Sequence, residues 1–180
     1  ERELLEIVER CLNKPFPVPE GNDCLIVMYD ASTKEELEAA QEQAANIALE
    51  MGAKDVKICN TPERIGSVWS VRAAILEGMK ADSQAQEECD VVVPRAKIAE
   101  FVTAAKEIGK KYSMRVIVCG HAGDGNIHTE LLRQNLSDEV WETNTKACLK
   151  ELYAKSKELG GQLSGEHGIG NGRLEYFENF

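Results

Sequence analysis

Two apolar segments joined by a glycine-rich stretch constrain the fold of this chain most strongly. Residues Arg115 to Cys119 predict one strand, and Ile127 to Leu132 predict its hairpin partner. The connection lies within GHAGDGNIH, residues 120–128, whose three glycines, Asp and Asn allow a tight turn with positive φ. Because strands joined by so short a turn pair antiparallel, the pattern disfavours a doubly wound parallel sheet.

Helices and strands alternate along the rest of the sequence. Further strands are predicted at Asp23–Tyr29, Val56–Cys59 and Val91–Val93. Apolar residues at helical spacing predict helices in residues 1–14, from Ser32 or Thr33 to Gly52, from Thr61-Pro62 to about Lys80, over Ile98–Ile108, and over Trp141–Leu159. Residues 81–87 predict a polar loop. This order predicts an α+β fold of one domain over residues 1–180, with ferredoxin-like βαβ units and helices packed on one face of a largely antiparallel sheet.

Composition excludes several classes of protein. The formal net charge of −10 argues against nucleic-acid binding, which needs a basic face. No apolar run reaches the ~20 residues of a membrane helix, and no signal peptide is visible. The six cysteines are scattered without a CxxC pair, so we interpret them as reduced core cysteines of a cytoplasmic protein.

All three histidines lie in two glycine-rich segments. His121 and His128 flank the predicted hairpin turn, which can bring their imidazoles together as ligands of one metal. On a straight strand the spacing of seven would place them on opposite faces, so the turn is essential to the pairing. A plain hairpin with two incidental histidines remains the alternative.

The second glycine-rich segment, residues 160–170, places Glu166 and His167 side by side. Two histidines and one carboxylate leave open positions on a metal, which is typical of a catalytic rather than a structural site. Imidazole titrates near neutral pH, and His167 therefore suits the role of general base. A surface loop with an ion pair is the alternative interpretation.

One arginine lies on a predicted apolar helix stripe. Arg72 shares the helix after Thr61 with Ile65, Val68, Leu76 and Met79, with Trp69 alongside. A guanidinium on a buried face must be paired, because burying it alone is costly. It predicts either a structural salt bridge or a bidentate clamp for a substrate carboxylate.

The segments at residues 120–128 and 164–170 (SGEHGIG) resemble the two signature segments of the FAD-linked oxidase C-terminal domain. This is the cap domain of flavoproteins such as D-lactate dehydrogenase, the glycolate oxidase FAD subunit and D-2-hydroxyglutarate dehydrogenase. The resemblance covers nearly the whole chain, including WSVR at 69–72 and DVVVP at 90–94.

The resemblance implies FAD-dependent oxidation of a D-2-hydroxy acid to the 2-oxo acid. It implies that His121, His128 and Glu166 hold a divalent metal, typically zinc, or iron or manganese in some members. It also implies that His167 takes the hydroxyl proton while hydride passes from the substrate α-carbon to the flavin.

The resemblance also assigns substrate contacts. It places Arg72 at the substrate carboxylate and Asn126 near the flavin or substrate. Glu130 stands where hydroxyglutarate-type members have a substrate-binding asparagine, and Leu76 stands where they have a threonine. A second distal carboxylate is therefore poorly served, which favours lactate or glycolate as the substrate.

The resemblance implies that much of the enzyme lies outside this sequence. The family's FAD-binding domain, with most of the FAD contacts, is not recognisable here, and relatives continue beyond the Gly-Ile-Gly segment. We therefore expect a fragment that is inactive alone, whose partners are its own N-terminal FAD-binding domain and an iron–sulfur subunit or electron-transfer flavoprotein. Two other classes remain open: a stand-alone metal-dependent hydrolase and a non-catalytic module that binds small anions around Arg72.

Overall fold

The computed structural model describes residues 1–14, 23–178 and 180, which form two compact units, Glu1–Gly78 and Met79–Phe180. The helices and strands in chain order are α1 (Arg2–Leu12), α2 (Lys34–Glu50), α3 (Pro62–Ala73), α4 (Ile75–Asp82), β1 (Gln86–Val92), α5 (Ile98–Lys111), β2 (Arg115–His121), β3 (Asn126–Leu132), α6 (Asp138–Glu158) and α7 (Leu174–Phe177). Within these ranges no helix is both long and apolar enough to cross a membrane.

The N-terminal unit is helical, and α2 and α3 begin where capping chemistry predicts. The Thr33 hydroxyl accepts the backbone N–H of Glu36, whose carboxylate in turn accepts the backbone N–H of Thr33, which completes a capping box at α2. The Thr61 hydroxyl caps α3, and Pro62 occupies its first turn.

Three predictions for this part of the chain are wrong. Asp23–Tyr29 and Val56–Cys59 are not strands: a strand needs hydrogen bonds to a partner, and neither segment has one among the residues that the structure describes. The helix from Thr61 ends at Ala73, and α4 then continues to Asp82, two residues into the predicted loop at 81–87. Cys89 and Cys148 are buried, as a core position requires, whereas Cys11 is exposed.

The C-terminal unit confirms the predicted α+β class. Its strands are ordered β1-β3-β2, with β3 antiparallel to both neighbours, so β1 and β2 run parallel on either side of it. With α5 between β1 and β2, and α6 after β3, this is the split βαβ arrangement of ferredoxin-like folds. A single antiparallel bridge joins Val92 to Gln162 after α6.

The two faces of this sheet differ in chemistry. The face built from Cys89, Val91, Ile127 and Leu131 belongs to the hydrophobic core, together with side chains of α5 and α6. Because side chains alternate along a strand, the intervening positions lie on the opposite face. This second face carries polar residues in register, and we call it the polar face: Glu88, Asp90, Cys119, His121, Asn126, His128 and Glu130.

Candidate functional site

The hairpin between β2 and β3 brings the first two histidines together. His121 is the last residue of β2, Asn126 is the first residue of β3, and the centroids of the His121 and His128 rings are 5.6 Å apart. Gly125 is required in the turn, because its φ is +77° and a Cβ there would lie 2.1 Å from the Val93 carbonyl oxygen. The predicted proximity of the two imidazoles is confirmed.

A buried carboxylate anchors the second glycine-rich segment beside them. Asp90 lies on the polar face, and its Oδ2 accepts the backbone N–H groups of Gly165, Glu166 and His167 at 2.9–3.0 Å. The Ser164 hydroxyl donates to the same oxygen at 3.1 Å. Burial alone would raise the pKa of Asp90, but these donors outweigh it and lower the pKa to about 2. Asp90 is therefore an anion held by a backbone nest.

All three imidazoles face one carboxylate oxygen. Oε1 of Glu166 lies 3.2 Å from Nε2 of His128, 3.5 Å from Nε2 of His167 and 3.6 Å from Nε2 of His121. The Glu166 side chain is half exposed and that of His121 is 41% exposed, whereas that of His128 is only 11% exposed. The cluster is thus accessible to solvent on the side of Glu166 and His121.

A second carboxylate contacts the far side of two of these rings. Glu88 places Oε1 2.9 Å from Nδ1 of His128 and Oε2 2.7 Å from Nδ1 of His167. Burial would raise the pKa of Glu88, but the two imidazoles outweigh it and lower the pKa. The same Glu88 carboxylate raises the pKa of His128, against the opposing effect of burial.

The donor set fits a divalent metal. Ligand atoms of His121, His128 and Glu166 lie within 4.8 Å of one another, the separation expected of groups that surround one ion. Two imidazole nitrogens and a carboxylate oxygen suit zinc, iron or manganese, and they leave coordination positions for a substrate. Glu88, His128 and His167 form a second group within the same limit.

The structure brings together four of the six predicted site residues, His121, His128, Glu166 and His167. The fifth, Asn126, lies beside them, but its amide nitrogen donates to Asp90 Oδ1 at 2.6 Å and to the Val91 carbonyl at 3.1 Å. Asn126 therefore also links β3 to β1. Its role at the substrate stays a prediction.

The sixth predicted residue, Arg72, belongs to the N-terminal unit. It is exposed near the end of α3, and the stripe predicted to be buried around it is wrong for Ile65, Trp69 and Leu76, each more than 40% exposed. An amphipathic pattern indicates which residues share a face but not whether anything covers that face. The assignment of Arg72 as a carboxylate clamp stays a prediction.

Sequence reasoning assigned no role at the histidines to three carboxylates of the polar face, and it considered Glu130 only as a position that disfavours a second substrate carboxylate. Glu88, Asp90 and Glu130 lie beside the histidines, and burial followed by the charge of Glu88 raises the pKa of Glu130 to about 7. The signal was present in β1, whose sequence QEECDVV places Glu88 and Asp90 at alternating positions. Only Val91–Val93 was predicted as a strand there, so the alternation went unused.

Comparisons with known proteins show the family to which this chain belongs. The sequence matches the family of FAD linked oxidases, C-terminal domain, over residues 1–180, and the chain belongs to that family. It is 39% identical to a D-lactate dehydrogenase of Anaerostipes hadrus over 98% of this chain, and 34% identical to a D-lactate dehydrogenase of Archaeoglobus fulgidus over 99%. It is 28% identical to the glycolate oxidase subunit GlcD of Bacillus subtilis over 89% of this chain. The matched regions span 38%, 38% and 34% of those relatives.

Proposed function

We propose that this chain is the substrate- and metal-binding part of an FAD-dependent D-2-hydroxy-acid dehydrogenase that acts on lactate or glycolate. The observation that carries the proposal is the convergence of three imidazole Nε2 atoms on one oxygen of Glu166. Family membership supports the FAD-linked oxidation, and the relatives named as D-lactate dehydrogenases and glycolate oxidase support the substrate class.

In this proposal His121, His128 and Glu166 hold a divalent metal, zinc in the first instance. When bound, the metal would polarise the substrate oxygen and FAD would accept the hydride. His167 receives the hydroxyl proton at Nε2 while its Nδ1 stays at Glu88, an arrangement that orients a general base. The substrate thereby loses one proton and one hydride and becomes the 2-oxo acid.

The remaining contacts belong to the same proposal. Arg72 binds the substrate carboxylate and Asn126 lies near the substrate or flavin. Glu130 and Leu76 provide no cation for a second carboxylate, which supports a monocarboxylate substrate. An N-terminal FAD-binding domain completes the enzyme. An iron–sulfur subunit or electron-transfer flavoprotein accepts electrons from the enzyme, which is located in the cytoplasm.

The test is flavin reduction by the full-length parent protein under anaerobic conditions, with D-lactate, glycolate and D-2-hydroxyglutarate compared. We expect reduction with D-lactate or glycolate. His167→Ala should keep its metal and reduce flavin about 10²- to 10⁴-fold more slowly, because a positioned base contributes that factor. His121→Ala should lose metal as measured by atomic emission.

Exposed Glu38→Gln on α2 is the matched control and should leave both readouts unchanged. A parent protein that is loaded with FAD and zinc but is not reduced by any of the three acids would refute the proposal.

A further inference from the structure

Glu88 occupies an unusual position between two functional imidazoles. The His128 and His167 rings are stacked, with centroids 5.2 Å apart and planes inclined by 22°. The two oxygens of Glu88 reach both rings on the same edge, at Nδ1 of each. Both rings turn their opposite edge, Nε2, toward Glu166. The Glu88 carboxylate therefore contacts both rings, and both rings have the same orientation relative to it.

The surroundings of His128 favour one tautomer of its imidazole ring. Nδ1 of His128 is buried and makes no hydrogen bond of regular geometry within the described residues; the acceptors beside it are Glu88 Oε1 at 2.9 Å and Asp90 Oδ1 at 3.7 Å. A neutral imidazole carries a proton on one nitrogen and a lone pair on the other. Since both of these neighbours are acceptors, the proton belongs on Nδ1 and the lone pair on Nε2.

The same reasoning applies to His167 through the other oxygen. Nδ1 of His167 lies 2.7 Å from Glu88 Oε2, which can only accept when ionised. The two oxygens of Glu88 thus lie at the Nδ1 atoms of both rings, and a carboxylate can accept a hydrogen bond at each of its oxygens. A carboxylate behind an imidazole fixes its tautomer at metal sites and in proton-transfer dyads alike.

We propose that Glu88 is a positioning residue that fixes the Nδ1–H tautomer of His128 and His167 simultaneously, and so presents both Nε2 lone pairs to the site. The two roles that it supports, metal ligand and general base, rest on the proposed function. The tautomers themselves do not, because they follow from the carboxylates beside the two Nδ1 atoms, Glu88 at both rings and Asp90 at His128. Metal affinity and proton transfer are thereby coupled through one side chain.

The substitution Glu88→Gln tests this sharply. Glutamine has nearly the same shape, but one of its two terminal atoms becomes an NH₂ donor. It can accept Nδ1–H from one ring only, and the other ring must move its proton to Nε2. With ¹⁵N-histidine labelling the chain shows only three imidazoles, so long-range ¹H–¹⁵N spectra at pH 9 resolve each tautomer.

We expect the metal-free wild-type chain to show Nδ1–H for His128 and His167, and Glu88→Gln to convert one of them to Nε2–H. Zinc affinity, measured by competition with a chelator, should weaken about 10- to 100-fold. Glu87→Gln is the matched control, because Glu87 is exposed and lies on the opposite side of β1. It should leave the tautomers and the zinc affinity unchanged.

The inference is overturned if both rings keep Nδ1–H in a folded Glu88→Gln protein, or if either ring carries Nε2–H in the wild type. If Glu88→Gln does not fold by circular dichroism, Glu88→Asp replaces it: the shorter side chain reaches one ring, and retention of both tautomers again overturns the inference. Failure of the full-length parent to reduce flavin, with tautomers as expected, refutes the proposed function and leaves the role of Glu88 intact.

Discussion

Replacing Asp90 with asparagine should destabilise the C-terminal unit by about 3 kcal/mol. The Asp90 carboxylate is fully buried and charged, and it joins β1 to the segment that carries Glu166 and His167. On its other side it accepts the Asn126 amide at 2.6 Å. The substitution changes one oxygen to NH₂ without changing the size of the side chain, so its effect isolates charge and hydrogen bonding from packing.

The magnitude follows from the donors that surround Asp90. Every one of its five hydrogen-bond contacts with residues 126 and 164–167 is a donor aimed at an oxygen. In Asp90→Asn the new NH₂ group loses the fewest hydrogen bonds when it replaces Oδ1, which among the described residues accepts only from Asn126. The new NH₂ group and that of Asn126 then face each other as two donors. Losing one hydrogen bond to a charged group costs roughly 1.5–3 kcal/mol. Loss of the charge also weakens the remaining bonds, and the sum is about 3 kcal/mol.

Urea denaturation followed by circular dichroism measures this effect. With a slope of about 1–3 kcal/mol per molar urea, the midpoint should fall by about 1–3 M. Asp124→Asn is the matched control, because Asp124 is exposed in the hairpin turn and asparagine is favoured in turns. A midpoint for Asp90→Asn that coincides with that of Asp124→Asn would refute the anchoring role of Asp90.

Three further predictions concern the same region. Gly165→Ala should lower the urea midpoint, because its Cβ would lie 1.8 Å from the Asn126 amide nitrogen, whereas Gly123→Ala enters open space; equal midpoints would contradict this. The stability that Asp90 contributes is complete above pH about 4 and is lost as the pH falls toward 2, so wild-type melting temperatures should drop more steeply in that window than those of Asp90→Asn. The pKa of Glu130 is raised from 4.5 to about 7, so the free energy of unfolding of the metal-free protein should fall by on the order of 3 kcal/mol or less as the pH rises from 4.5 to 7. Thermal melts of Glu130→Gln should lack this fall. The same pH dependence in both proteins would refute the prediction.

Sequence patterns predicted the C-terminal unit better than the N-terminal unit for a physical reason. The hairpin of β2 and β3 has both strands and its turn within eighteen residues, Arg115 to Leu132, so the local sequence contains its own pairing partner. Asp23–Tyr29 carries an equally apolar pattern without such a neighbour, and Leu25 and Met28 are 70% and 76% exposed. Periodicity records a preference, whereas pairing is a tertiary property.

The residues of the site likewise divide into those that the local sequence identifies and those that only the tertiary structure identifies. His121, His128, Glu166 and His167 were identifiable because rare residue types lie in glycine-rich segments where local geometry is unusual. Glu88 was not identifiable, because a glutamate in a charged stretch resembles solvated surface. Its contacts arise from the β1–β3 register, which places it directly across from Glu130 and two pairs away from His128, on the same face of the sheet. No local feature of β1 specifies that register.

The placement of Asp90 also explains how three separate segments form one site. A buried carboxylate is costly unless donors surround it, and β1 alone provides none. The backbone of residues 165–167 meets that requirement, so β1 and the segment that carries Glu166 stabilise each other. Glu166 is thereby held opposite the imidazoles of the β2–β3 hairpin before any ligand binds. Because the loop is ordered in advance, the free energy of ligand binding is not reduced by the cost of ordering it, which is the advantage of a preorganised site.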